Sequence, residues 1–220
     1  MRPVTKKQPG EKVVYHDAQG RQVEETIAES YRPYSKAKLP LMANLGTYCS
    51  YCEAYLLPAS MEVEHVAPKS QTGEAYAWSN FLLACKTCNT RKGQADVNPD
   101  DCHWPDKDDT YHDFVYTADG AVRINPSLEG EERQRAQRLY DLVKLGGAPT
   151  RMDYRSRCRM EQWNKAEIYK AKLDAGKADV DTIIDLAKSR GYWSVWYTVF
   201  EGYADVRQRL ITDFPGTRRI

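Results

Sequence analysis

No stretch of this 220-residue sequence is apolar for anything near the length a membrane helix needs, about 18 residues. The first eleven residues are polar and lysine-bearing, and they lack the apolar segment of a secretory signal. A cytoplasmic location is therefore expected. There is also little excess of charge of either sign: the formal net charge is +1. A protein that grips nucleic acid unaided usually carries a clear positive surplus, because phosphate contacts dominate affinity. Internal repeats and low-complexity tracts are absent. With 41% hydrophobic and 29% charged residues, the composition is that of a globular protein, one medium domain or a small module with a helical extension.

Charge is unevenly distributed all the same. Residues 96–113 hold seven acidic side chains against one basic, whereas residues 131–172 hold eleven Lys and Arg against six Asp and Glu. The second stretch can offer a local basic surface, or simply a solvated helix face.

The cysteines carry the strongest signal. Cys49-Ser-Tyr-Cys52 and Cys85-Lys-Thr-Cys88 are two C-x-x-C pairs with 32 intervening residues. In a reducing compartment such pairs favour a metal over disulfides. The spacing lets both sulfurs of a pair reach one tetrahedral Zn²⁺, and four thiolates leave no open position. The zinc is expected to be structural, joining a short hairpin to a short helix that bury too little surface to hold themselves together. Cys102 and Cys158 receive no role.

Residues 36–45 read as a short helix closed by Gly46. Residues 51–57 and 61–66 read as two strands around Pro58, and a helix is expected to start near Cys88. Val13, Val14, Tyr15 and Val23 suggest a weak hairpin or arm. Two strands at 114–117 and 121–124 flank Asp119-Gly120, whose glycine supplies the positive φ of a tight turn. Beyond Pro126 the pattern is helical, with breaks at Gly146-Gly147 and Gly191. A last helix is expected to carry Tyr192, Trp196, Val199, Tyr203, Val206 and Leu210 on one seam, facing either the core or a partner helix. The expected division is an arm at 1–34, a zinc module with hairpin at 35–125, and a helical region at 126–220. The fold class is α+β.

Chemistry gathers between and beside the cysteines. Glu64 and His65 are neighbours at a strand end and should point to opposite sides. Asn89 follows the last cysteine, where its amide oxygen can be a hard ligand for Mg²⁺ or Mn²⁺. Asn80 has donors and acceptors to tie the intervening loop to the strand of His65.

These motifs, Tyr48-Cys-Ser-Tyr-Cys-Glu53, Glu64-His-Val-Ala-Pro-Lys69, Trp78-Ser-Asn-Phe-Leu-Leu-Ala-Cys85 and Cys88-Asn-Thr-Arg-Lys-Gly93, resemble the HNH endonucleases. The resemblance covers about a fifth of the chain and implies a ββα-metal core. It departs from the family pattern in carrying Asn89 where His is also common. It implies that His65 takes a proton from water, that Glu64 and Asn89 hold one divalent cation, and that Asn80 keeps His65 in register. Lys69, Arg91 and Lys92 would contact phosphates. The wider layout is similar to the HNH proteins of Septu-type and retron-associated anti-phage systems, which implies nucleic acid as substrate, DNA or RNA, and an ATPase as partner. A stand-alone restriction or homing nuclease and a non-catalytic zinc module are the competing readings.

Overall fold

The computed structural model describes residues 1–17, 19–68, 74–95, 97–146 and 153–219. Its elements form a mixed α and β fold of small antiparallel ribbons and helices. In chain order these are β1 (Lys12–His16), β2 (Gln22–Thr26), α1 (Lys38–Leu45), β3 (Met61–His65), β4 (Phe81–Cys85) and α2 (Lys86–Lys92). There follow β5 (Phe114–Tyr116), β6 (Val122–Ile124), α3 (Gly130–Leu142), α4 (Tyr154–Asp174), α5 (Val180–Arg190), α6 (Trp193–Val199) and α7 (Ala204–Asp213). Among the described residues each strand pairs with its sequence neighbour: β1 with β2, β3 with β4 and β5 with β6. Among the described residues no helix is long and apolar enough to cross a membrane.

The central unit is β3–β4–α2. Every residue of β4 is buried, as expected for a continuous Phe-Leu-Leu-Ala-Cys run. It pairs with β3 in the register His65 to Phe81 and Met61 to Cys85. The partner of β3 is therefore not residues 51–57, which were expected to be a strand. That segment instead completes the cysteine turn: Glu53 N–H donates to Cys49 O at 2.9 Å, and Glu53 has φ 66°. It then pairs far away in sequence, with Tyr55 N–H donating to Arg190 O and Ala54 bridging Gly191. The following helix starts at Lys86, slightly earlier than expected, because the Cys85 sulfur caps it.

Residues 1–34, expected as an arm, are knitted into the body. Val4 N–H donates to Pro105 O and Thr5 N–H to Gly216 O, and Val13 and Ile27 are buried. The helical region divides between two apolar cores. Leu139, Val143 and Leu145 at and beyond α3 join the core of the β3–β4 ribbon with Trp78, Phe81 and Trp104. A second core gathers Ile183, Ile184, Trp193, Trp196, Phe200, Val206 and Leu210.

The expected long final helix is two helices, interrupted by a turn in which Tyr203 N–H donates to Phe200 O. Its seam is spent internally: Tyr192, Trp196, Val199, Val206 and Leu210 are all buried in this chain. Of the two expectations for this seam, facing the core is the one the structure shows.

The β5–β6 turn forms as expected, with Gly120 at φ 76°. A Cβ there would stand 2.0 Å from Ser156 O of α4, so only glycine lets the hairpin seat on that helix. Gly120→Ala should cost at least about 2 kcal/mol, read as a lower urea midpoint. A buried ion pair, His103 with Asp113, lies within the 97–113 loop, and the exposed Glu132 ties His103 to α3. His103 Nδ1 lies 3.0 Å from Asp113, and Nε2 lies 3.2 Å from Glu132. Burial opposes the His103 charge, but the Asp113 carboxylate outweighs it and raises the pKa. The pair's stabilisation should be complete below the ordinary histidine pKa of about 6.5 and fade as pH rises through the raised value. The stability difference between the parent protein and His103→Gln, followed by urea denaturation against pH, should shrink accordingly.

Candidate active site beside a four-cysteine cluster

The turn at Cys49 and Cys52 and the corner between β4 and α2 bring four sulfurs together. Those of Cys49, Cys52, Cys85 and Cys88 all lie within 4.8 Å of one another, and the cysteines are buried or nearly so. Cys52 and Cys85 sulfurs are 3.8 Å apart. A tetrahedron with Zn–S legs of about 2.3 Å has edges of about 3.8 Å, so the donor set fits a closed metal site. Cys88 N–H donates to Cys85 Sγ at 3.3 Å, satisfying one free donor of the helix start. Arg155 Nη1 donates to Cys88 Sγ, also at 3.3 Å. Burial pushes the Cys49 thiol well up, while sulfur contacts with Cys49 and Cys52 hold Cys85 and Cys88 down.

A cavity of about 430 Å³ opens beside this corner, bordered by Tyr34, Glu64, His65, Pro68 and Asn89. His65 Nε2 lies 3.0 Å from Ala75 O. A carbonyl only accepts, so in the neutral ring Nε2 carries the proton and Nδ1 holds the lone pair. The ring is clamped edge-on by Tyr34 and Phe81, with centroids 4.9 and 5.1 Å away.

Glu64 is only 2% exposed. Lys92 Nζ meets its Oε1 at 2.9 Å, and Tyr51 Oη donates to the same oxygen at 3.5 Å. Among the contacts of the described residues, both polar partners fall on Oε1. Burial raises the Glu64 pKa, and Lys92 only partly opposes the rise. Asn89 donates Nδ2–H to Glu62, which is itself 3.3 Å from Lys86 Nζ. That bond assigns the other branch of the amide, the acceptor Oδ1, away from Glu62.

Asn80 does not border the cavity. Its Oδ1 accepts from Ala67 N–H at 2.7 Å, its Nδ2 donates to Ala67 O at 3.0 Å, and its own carbonyl accepts from Val66 N–H. It thus grips both residues that follow His65.

Three expectations need correction. Glu64 and His65 alternate on the strand, but both reach the border of one cavity, because the strand ends there. Lys92 is not a surface residue available to phosphate: its side chain is 1% exposed, and Nζ is bound by Glu64 and by His65 O at 2.6 Å. Arg91 is half-buried and committed to Asp153. Lys69 lies outside the described residues. Two residues went unnoticed in the sequence. Glu62 shares its strand parity with Glu64, a signal that was available, whereas Tyr34 arrives from a distant segment with no local pattern to announce it.

The comparison with known families agrees with this geometry. Residues 43–95 match the HNH endonuclease family. The HNH segment thus spans both cysteine pairs, Glu64, His65, Asn80 and Asn89. The chain is also similar to the Septu protein PtuB of Bacillus thuringiensis, with 43% identity over 68 residues. That match covers 30% of this chain and 26% of PtuB, so the chain spans about a quarter of its relative.

Removing one partner of a buried ion pair strands the other's charge, at a cost of about 3–5 kcal/mol. Lys92→Met should lose stability on that scale, and adding Glu64→Gln should recover much of it. A double-mutant cycle in urea would read the coupling; additive losses would show that the pair is not coupled.

Proposed function

We propose that this protein is a divalent-metal-dependent HNH endonuclease that hydrolyses phosphodiester bonds in nucleic acid. One observation carries the reading. His65 and Glu64 on β3 and Asn89 on α2, the helix that leaves β4 at the four-cysteine corner, border a single cavity. Cys49, Cys52, Cys85 and Cys88 would hold a structural Zn²⁺, whose closed ligand set gives it no part in the reaction.

In this reading His65 is the general base and takes the proton of a water at Nδ1. Its Nε2–H bond to Ala75 O keeps that nitrogen basic and the ring oriented. Glu64 Oε2 and Asn89 Oδ1 are the oxygens that would bind a Mg²⁺ or Mn²⁺ ion. Such an ion, when bound, supplies Lewis-acid stabilisation of charge on the phosphate and the leaving oxygen. Lys92 fixes the Glu64 carboxylate by its other oxygen, and Glu62 fixes the Asn89 amide. Asn80 holds the chain after His65 in register. Tyr34 offers an aromatic wall against which a sugar or base can lie.

The similarity to a Septu protein supports a role as the nuclease of an anti-phage system; we propose in addition that it acts in the cytoplasm with an ATPase as partner. The near-zero net charge is consistent with a nuclease that needs a partner to bring it to its substrate.

The purified protein should be incubated with plasmid, single-stranded DNA and tRNA in Mg²⁺ or Mn²⁺, with and without the product of the neighbouring gene. Cleavage should fall at least about 100-fold in His65→Ala with the fold intact, as judged by circular dichroism. Cys49→Ser should instead unfold the zinc module. Undiminished metal-dependent cleavage by His65→Ala would refute the assignment of the base.

A further inference from the structure

The cysteine cluster has a neighbour that belongs neither to the HNH segment nor to the cavity. Arg155 sits in the first turn of α4, and 67 residues separate it from Cys88 along the chain. It is 3% exposed and fully engaged. Nη1 donates to Cys88 Sγ at 3.3 Å and to Val143 O at 3.1 Å. Nη2 donates to Lys144 O and, at 3.1 Å, to Asp153 Oδ2. Asp153 is the N-cap of α4, accepting from Arg155 N–H at 2.8 Å, and it also receives Arg91 of α2. The start of α4 therefore grips α2 at both Cys88 and Arg91, on either side of Asn89.

Four thiolates around one divalent ion carry two net negative charges. Burying such a charge is costly unless donors and a cation face the sulfurs. The backbone supplies one donor, Cys88 N–H to Cys85. Among the described residues, Arg155 is the cationic side chain that hydrogen-bonds a sulfur of the cluster.

We propose that Arg155 is a positioning residue of the metal centre, so that α4 is part of the zinc site and zinc binding is coupled to the docking of the helical region on α2. This rests on the four cysteines holding zinc. The coupling runs both ways. A bound tetrathiolate strengthens the seat of α4, and a seated α4 lowers the cost of the buried thiolates. The same contact fixes the helix that carries Asn89, which links the helical region to the candidate active site.

The test measures zinc affinity of the full-length chain by competition with a chromophoric chelator, alongside melting temperature with and without zinc. The parent protein, Arg155→Gln, Arg155→Lys and Arg159→Gln are compared. Arg159 is the control. It is also buried on α4, but it bonds Gly120 O, Leu145 O and Ser156 Oγ, not sulfur. Arg155→Gln should weaken zinc binding about 10–100-fold, the range typical for groups that support metal ligands. Arg155→Lys should recover part of the loss, because it keeps the charge. Arg159→Gln should melt lower yet bind zinc as the parent does. Two results would overturn the proposal: parental affinity in Arg155→Gln, or an equal loss of affinity in Arg159→Gln. If Arg155→Gln does not fold, Arg155→Lys against Arg159→Gln decides by the same criterion. A parent protein that binds no zinc would overturn the zinc reading itself, a distinct result.

Discussion

The closeness of four sulfurs at one corner is the constraint on which the rest of the structure depends. The β3–β4 ribbon has five residues per strand and α2 has seven. Elements this short do not hold their relative positions by apolar burial alone. The turn at Cys49–Cys52 and the corner at Cys85–Cys88 meet within 4.8 Å, and that meeting decides where β4 ends and α2 begins. Glu64 and His65 at the end of β3 then face Asn89 on α2 across a cavity, with little freedom left to the backbone. In the proposed mechanism the chemistry falls to residues near the cluster, and the cluster's own part is geometric.

Charge inside the molecule obeys a second constraint. Buried and half-buried cations are matched to buried carboxylates: Lys92 to Glu64, Arg155 and the half-buried Arg91 to Asp153, Lys6 to Asp106, and His103 to Asp113. Several basic residues in the stretches that seemed suited to phosphate are engaged in this way. Counting Lys and Arg along the chain therefore overstates the cationic surface near the cavity.

Two tight structural signals were legible because their physics is local. C-x-x-C spacing reports a metal-ready turn through the reach of two adjacent sulfurs. Asp119-Gly120 reports a hairpin through the conformational freedom of glycine, and Gly120 is at φ 76°. The helical pattern beyond Pro126 was legible from its composition and periodicity. Residues 51–57 misled because their aromatic and aliphatic content suits a strand, while their partners are a cysteine turn and the far-off Arg190 and Gly191. The heptad-like seam from Tyr192 to Leu210 misled because periodicity identifies an apolar face and not what covers it. Here the same chain covers it, and the helix breaks before Ala204.

The sequence by itself determined the chemistry available: four thiols in two pairs, an acidic residue beside a histidine, and two asparagines at set distances from them. Those identities and spacings are enough to define the donor set. Tertiary structure alone decided which of these groups remain available. It turned Lys92 inward onto Glu64, aimed Asn89 by a bond to Glu62, brought Tyr34 to the wall of the cavity, and set Arg155 against Cys88. Each of these depends on contacts between residues distant along the chain, where closure of the fold, and not local preference, chooses the partner.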